Sequence, residues 1–162
     1  MGPIYEALSG EKKRMSKISQ LTAEIASERE KIWQDAPSEL EPLKSHQKGR
    51  AGNVAVRVYA FADAYRNQRN LWLLRESVKT QNLTIEIAKL VLAPFLGEMA
   101  DRFEIWALIT PGRLFRKIES LLSEVATPEE LTNLLDELLM YNNRWWFWLD
   151  SCIPWFDLDR NL

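Results

Sequence analysis

The sequence predicts an all-α protein: a single-domain bundle of about five helices with a Trp-rich C-terminal tail. Three observations carry this. Apolar residues recur every three or four positions in nearly every segment, which is the period of a helix with one buried face. The segments are punctuated by helix starts, a Thr or Asn cap, with a proline just inside at the two Thr caps. No segment alternates apolar and polar residues over the length of a strand, no Asn-Gly hairpin turn occurs, and no repeat of roughly 20–50 residues is visible.

The first helical face is formed by Ile4, Leu8, Met15, Ile18, Leu21, Ile25 and Ile32. Ser9-Gly10 can break off a short first turn, and Pro37 ends the segment. Residues 37–52, PSELEPLKSHQKGRAG, have two prolines, two glycines and no apolar period, which predicts a loop with a basic second half. Asn53 is placed to cap a helix running to about Lys79, and Asn82 to cap the next, through about Leu108. Pro94 and Gly97 inside that next helix predict a kink or a split.

A further start is read at Thr110, with Pro111 at the first helical position and Leu114, Ile118, Leu121, Leu122 and Val125 as the stripe. The clearest start is TPEELTNLLDELL. Thr127 caps it, Pro128 follows, and Glu130 completes a capping box. Leu131, Leu134, Leu135, Leu138 and Leu139 are its buried face, and the helix is expected to run towards Tyr141.

Residues 142–162 form the aromatic tail. Trp145, Trp146, Phe147, Trp148, Trp155 and Phe156 cannot all face one side of a helix. The tail either folds back over the bundle as an aromatic cap or leaves an apolar patch for a partner. Trp145, Trp146, Trp148 and Trp155 are therefore the candidate protein-interface residues. A membrane-surface role is opposed by Asp150, Asp157 and Asp159, which anionic headgroups would repel.

At 162 residues the chain can bury a core without cross-links, and residues 1–162 are expected to form one domain. The single cysteine, Cys152, cannot close an internal disulfide, which fits a reducing compartment. The N-terminal stretch has no apolar run of secretory-signal length. Leu90–Leu96, the most apolar stretch, is far shorter than the ~20 residues a membrane span needs. A cytoplasmic location is the expectation.

Net charge is −2, unevenly distributed. Residues 1–80 carry 14 Lys/Arg against 10 Asp/Glu, and residues 81–162 carry 7 against 13. From Lys44 to Lys79 there are eight basic and two acidic residues, whereas Ile118–Asn143 has six acidic residues and no Lys or Arg. Such asymmetry implies an anionic partner, head-to-tail self-association, or two regions that face each other inside one fold.

Motifs for catalysis are lacking. His46 is the one histidine and Cys152 the one thiol, which excludes zinc sites built on two or more histidines and leaves a single formal Cys–His pair. No GxGxxG, GxxxxGK[ST] or GxSxG run occurs. Glu129 and Glu130 suit a helix start, where acids meet the dipole, and Asp157 and Asp159 lie in the tail. The chain is expected to be non-enzymatic, with no cofactor and no metal. FADAYRNQRNL (Phe61–Leu71) and MADRFEIW (Met99–Trp106) loosely resemble a run in the helical hydrolase domain of the alarmone synthetase/hydrolase family. That resemblance would place a metal-binding aspartate at Asp63. The family's His-Asp pair is absent and Arg66 stands where a histidine is expected, so no hydrolase activity is inferred.

The most informative segment is VRVYAFADAYRNQRNLWLLRESVK, Val56–Lys79. On a helix, Val56, Ala60, Ala64, Asn67, Leu71, Leu74 and Val78 share one seam. Arg66 and Arg69 point away from it, while Arg57, Arg75 and Lys79 share a flank with Phe61, Tyr65 and Trp72. Cations between rings can hold a phosphate backbone while unpaired bases stack. Alternatively, the rings pack on a neighbouring helix and the arginine stems lie over them. Lys44, Lys48 and Arg50 in the preceding loop extend the positive surface, so Lys44, Lys48, Arg50, Arg57, Tyr65, Arg66, Arg69, Trp72, Arg75 and Lys79 are the candidate nucleic-acid contacts. A pI near 5.6 disfavours a free-standing binder and suits one subunit of a larger nucleoprotein assembly. In general design this resembles the small helical subunits of CRISPR effector complexes. The competing expectation is a protein-interaction module whose Trp-rich tail carries the affinity.

Overall fold

The computed structural model describes residues 17–31, 54–105 and 108–152; for 54–57 and 146–152 it describes the backbone alone. Five helices account for most of these residues: α1 (17–31), α2 (Val54–Lys79), α3 (Ile85–Ile105), α4 (Ile109–Leu121) and α5 (Pro128–Cys152). A 3-10 turn, Leu122–Glu124, follows α4, and no strand occurs among the described residues. The all-α bundle expected from the periodicity is the fold observed.

The buried residues are those that the 3.6-residue period selects. α1 contributes Ile18, Leu21 and Ile25, and α2 contributes Ala60, Ala64, Leu71, Leu74 and Val78. Leu131, Leu134, Leu135 and Leu138 of α5 are fully enclosed. One core cluster joins residues of all five helices. α2 packs mainly on α5, and α3 mainly on α4. α1 is tied to α5 by Arg29, which donates to Glu137 at 2.9 Å, and to α4 by the Lys117–Glu24 pair.

Helix ends follow local chemistry where a side chain can supply the missing bond. The Glu130 N–H donates to Thr127 Oγ1 at 3.1 Å, and the Thr127 hydroxyl donates to Glu130 Oε1 at 3.2 Å. The expected cap of α5 is therefore in place. α2 ends in a Schellman motif without glycine. Gln81 takes φ 62° as the left-handed residue. Its N–H donates to Val78 O at 3.1 Å, and the Asn82 N–H donates to Ser77 O at 2.9 Å.

Four expectations are corrected. α3 is capped by Thr84, whose Oγ1 accepts from the Ile87 N–H at 3.3 Å, because Asn82 is already used in ending α2. α3 is not split at Pro94 and Gly97 but runs unbroken through both. Pro94 leaves the Leu90 carbonyl without its helical donor, one bond lost in a helix of 21 residues. α4 begins at Ile109 rather than beyond Thr110. Buried Leu108 anchors that start: its N–H donates to Phe103 O at 2.8 Å, and its carbonyl accepts from Gly112 N–H at 3.2 Å. A Cβ on Gly112 would lie 3.3 Å from Glu104 Cγ, so the residue allows the close α3–α4 crossing.

The fourth correction concerns the C-terminus. α5 does not stop near Tyr141 but continues to Cys152, so the first half of the supposed tail is helix. Trp145, expected at a protein interface, is 3% exposed. Its ring centroid lies 5.6 Å from that of Phe103, and Phe103 meets Phe115 at 5.4 Å, so Trp145 belongs to an aromatic part of the core. The side chains of Trp146 and Trp148, and all of Trp155, lie outside the described residues.

Candidate functional site

α2 positions the candidate site, because its main described neighbours, α5 and α3, leave its outward side exposed. Its seam faces α5 and α3, and Asn67 is buried there with the apolar seam residues. Tyr59, Tyr65 and Trp72 lie on the outward side, with half or more of their surface in solvent. Tyr65 is 53% exposed and Trp72 51%. The alternative in which these two rings are core residues is not what the fold does with them; Phe61, by contrast, is partly buried against the core.

Tyr65, Arg69, Trp72 and Lys79 are spaced by four, three and seven residues, so they form one ridge along the outward shoulder of the helix. Arg69 and Lys79 are exposed and make no ion pair among the described residues. Lys79 also sits in the last turn, where a cation suits the helix dipole.

The remaining cations are differently placed. Arg75 is half-buried and turned towards α5, where its guanidinium bonds Asp136, and it also donates to Glu76 at 2.7 Å. The hydrogen bond to Asp136 holds the Arg75 pKa above its ordinary value. With two carboxylates against it, Arg75 contributes little positive potential to solvent. Arg66 bonds Asp63 one turn earlier, yet most of its side chain stays exposed. Arg57, a candidate contact, has no described side chain, and Lys44, Lys48 and Arg50 lie outside the described residues.

Much of the charge asymmetry in the sequence is absorbed internally. The acidic 118–143 region meets basic side chains in Arg75–Asp136, Arg29–Glu137 and Lys17–Glu124, the last at 3.9 Å. On α3 and α4, Arg116 bonds Asp101 and also Glu104, and those carboxylates raise its pKa.

A second polar locus lies where α2, α3 and α5 meet. Asp63 faces the guanidinium groups of both Arg66 and Arg102, the latter at 3.4 Å. Asn142 Nδ2 donates to Ala64 O at 2.8 Å and to Gln68 Oε1 at 2.9 Å. Asp63, Arg102 and Asn142, with Asn67, Met99, Phe103 and Trp145, line a cavity of about 20 Å³, enough for a water and far too small for a base. The two guanidinium groups neutralise Asp63, the position to which the hydrolase resemblance would assign a metal ligand. Among the described residues no group of three or more His, Cys, Asp or Glu side chains is placed to hold a metal ion. No described helix is long and apolar enough to cross a membrane.

One surface escapes sequence reasoning. Ile87, Leu90 and Val91 of α3 are exposed, as is Leu73 of α2 beside them. The apolar residues of α3 occupy more than one face, since Ala88, Leu92 and Leu96 already fill the buried one. That excess was visible in IEIAKLVLAPFLGEMADRFEI, but which apolar face the bundle would leave outside was not.

No family model, curated protein or solved structure matches this chain.

Proposed function

We propose that the chain is a non-enzymatic helical subunit of a nucleoprotein assembly, contacting single-stranded nucleic acid without sequence specificity along the outward shoulder of α2. One observation supports this above the others. Two half-exposed rings, Tyr65 and Trp72, alternate with two cations, Arg69 and Lys79, that no carboxylate neutralises among the described residues, and neither pair is needed by the core. Aromatic faces stack on any base, and cations follow the phosphates, so the combination grips a strand without reading it. Lys44, Lys48, Arg50 and Arg57 precede this ridge in the chain and would lengthen the positive track, with Arg66 at its edge. Arg75 stays with Asp136.

The test is binding of a generic single strand across a salt series. Arg69→Glu with Lys79→Glu should weaken binding for all sequences alike and flatten the slope of log K against log salt by about 0.7 for each lost phosphate contact. Trp72→Ala should cost single strands about 1–3 kcal/mol and duplex much less. Unchanged single-strand affinity in both variants would rule out this surface. A protein-interaction role for the chain is favoured independently by the exposed apolar strip on α3.

A further inference from the structure

The outward face of the α2–α3 pair has an internal order. The two helices are antiparallel neighbours, and their register is fixed by contacts: Asp63 pairs with Arg102, while Leu74, Val91 and Phe95 line one groove. Leu73 therefore sits level with Leu90, Val91 and Pro94, and Arg66 and Arg69 sit level with Glu98 and the turn around it. The exposed residues fall into two bands. Near the α2–α3 turn the face is apolar, with Leu73, Ile87, Leu90 and Val91. Further from the turn it is charged, with Arg66 and Arg69 on α2 and Glu98 and Asp101 on α3.

From this arrangement we infer that the α2–α3 face is a docking surface for a second copy of the chain, related by a two-fold axis lying in the face and running along the helices. Such an axis exchanges left and right but keeps level. α2 of one copy is laid on α3 of the other, antiparallel. The apolar band meets the apolar band, Leu73 against Leu90 and Val91. The arginines of each copy meet Glu98 and Asp101 of the other. Both carboxylates are exposed; Asp101 already bonds Arg116 and Arg66 already bonds Asp63, so Arg69 and Glu98, neither of which has an ion-pair partner among the described residues, carry the complementarity. Charge complementarity selects this occupant. A two-fold contact must match its own surface, and here bases lie on one helix and acids on the other at the same level. The contact closes at two copies, unlike head-to-tail association, which propagates unless a ring forms. It leaves Trp72 and Lys79 on the other shoulder of α2 and shares only Arg69 with the proposed nucleic-acid contact, so Leu90→Asp and Ile87→Lys test the dimer apart from that contact.

The experiment is sedimentation equilibrium of the full chain without nucleic acid. The wild type should dimerise. Leu90→Asp should weaken the dimer about 30-fold or more, as loss of a central anchor does, with the circular dichroism and melting of the monomer preserved because Leu90 is 74% exposed. Ile87→Lys is the second variant should Leu90→Asp fold poorly. Arg69→Glu and Glu98→Arg should each weaken association, and the double variant should recover it. A wild type that is monomeric at all concentrations, an assembly that grows past two, a folded Leu90→Asp or Ile87→Lys that still dimerises, or charge reversals with no mutual rescue would each overturn the inference. So would occupation of the strip only by a different protein.

Discussion

Trp72 and Trp145 are chemically identical and should behave oppositely when cut to alanine. Trp145 is nearly enclosed and meets Phe103 ring to ring. A tryptophan buries roughly 200 Å² on folding, and at ~25 cal/mol per Å² that is about 5 kcal/mol of transfer free energy. Part of that remains with the alanine methyl and part returns by collapse, while the cavity adds a cost, so a loss of about 3–5 kcal/mol is expected for Trp145→Ala. For a chain of this size each kcal/mol moves the melting temperature by about 2–4 °C, so the midpoint should drop by roughly 10 °C. Trp72 keeps half its surface in water, and Trp72→Ala should stay within about 1 kcal/mol. The assay is urea unfolding followed by far-ultraviolet circular dichroism, which does not rely on either indole. Equal losses for the two variants, or a larger loss for Trp72→Ala, would refute the assignment of one ring to the core and the other to a surface.

Asn142→Leu should cost about 1–3 kcal/mol, because it removes the donor to Ala64 O and leaves the Gln68 amide oxygen in a part-buried place; chemical denaturation reads this directly. Gln81→Gly should raise stability by about 0.5–1 kcal/mol, since glycine takes the left-handed conformation without a Cβ clash; a melting midpoint that falls would mean the Gln81 side chain has a role the backbone does not reveal.

The sequence by itself determined the helices and most of their inward faces. Ile18, Leu21 and Ile25, Ala60 to Val78 and Leu131 to Leu138 recur with a period that only a helix can bury on one side, and Thr127 announces its helix by a bond made within four residues. These are local facts, and local chemistry is enough to read them. Where an end depends on a distant contact the sequence misled. Buried Leu108 moved the start of α4, and the packing of Trp145 on Phe103 carried the buried face of α5 one turn beyond Tyr141, in a helix that runs on to Cys152.

The candidate site divides the same way. That Val56–Lys79 is rich in cations and rings was legible, as was the seam they avoid. Only the tertiary structure decided which cations remain free. Arg75 and Arg69 are the same residue type on the same helix. Yet Asp136, distant in sequence, takes up Arg75, and no carboxylate among the described residues reaches Arg69. Exposure of Leu90 and enclosure of Leu92, two positions apart, were likewise settled by where α2 and α4 lie against α3. A side chain's period fixes which face it is on, but the neighbours that the whole chain brings to that face fix whether the face is core, ion pair or open surface.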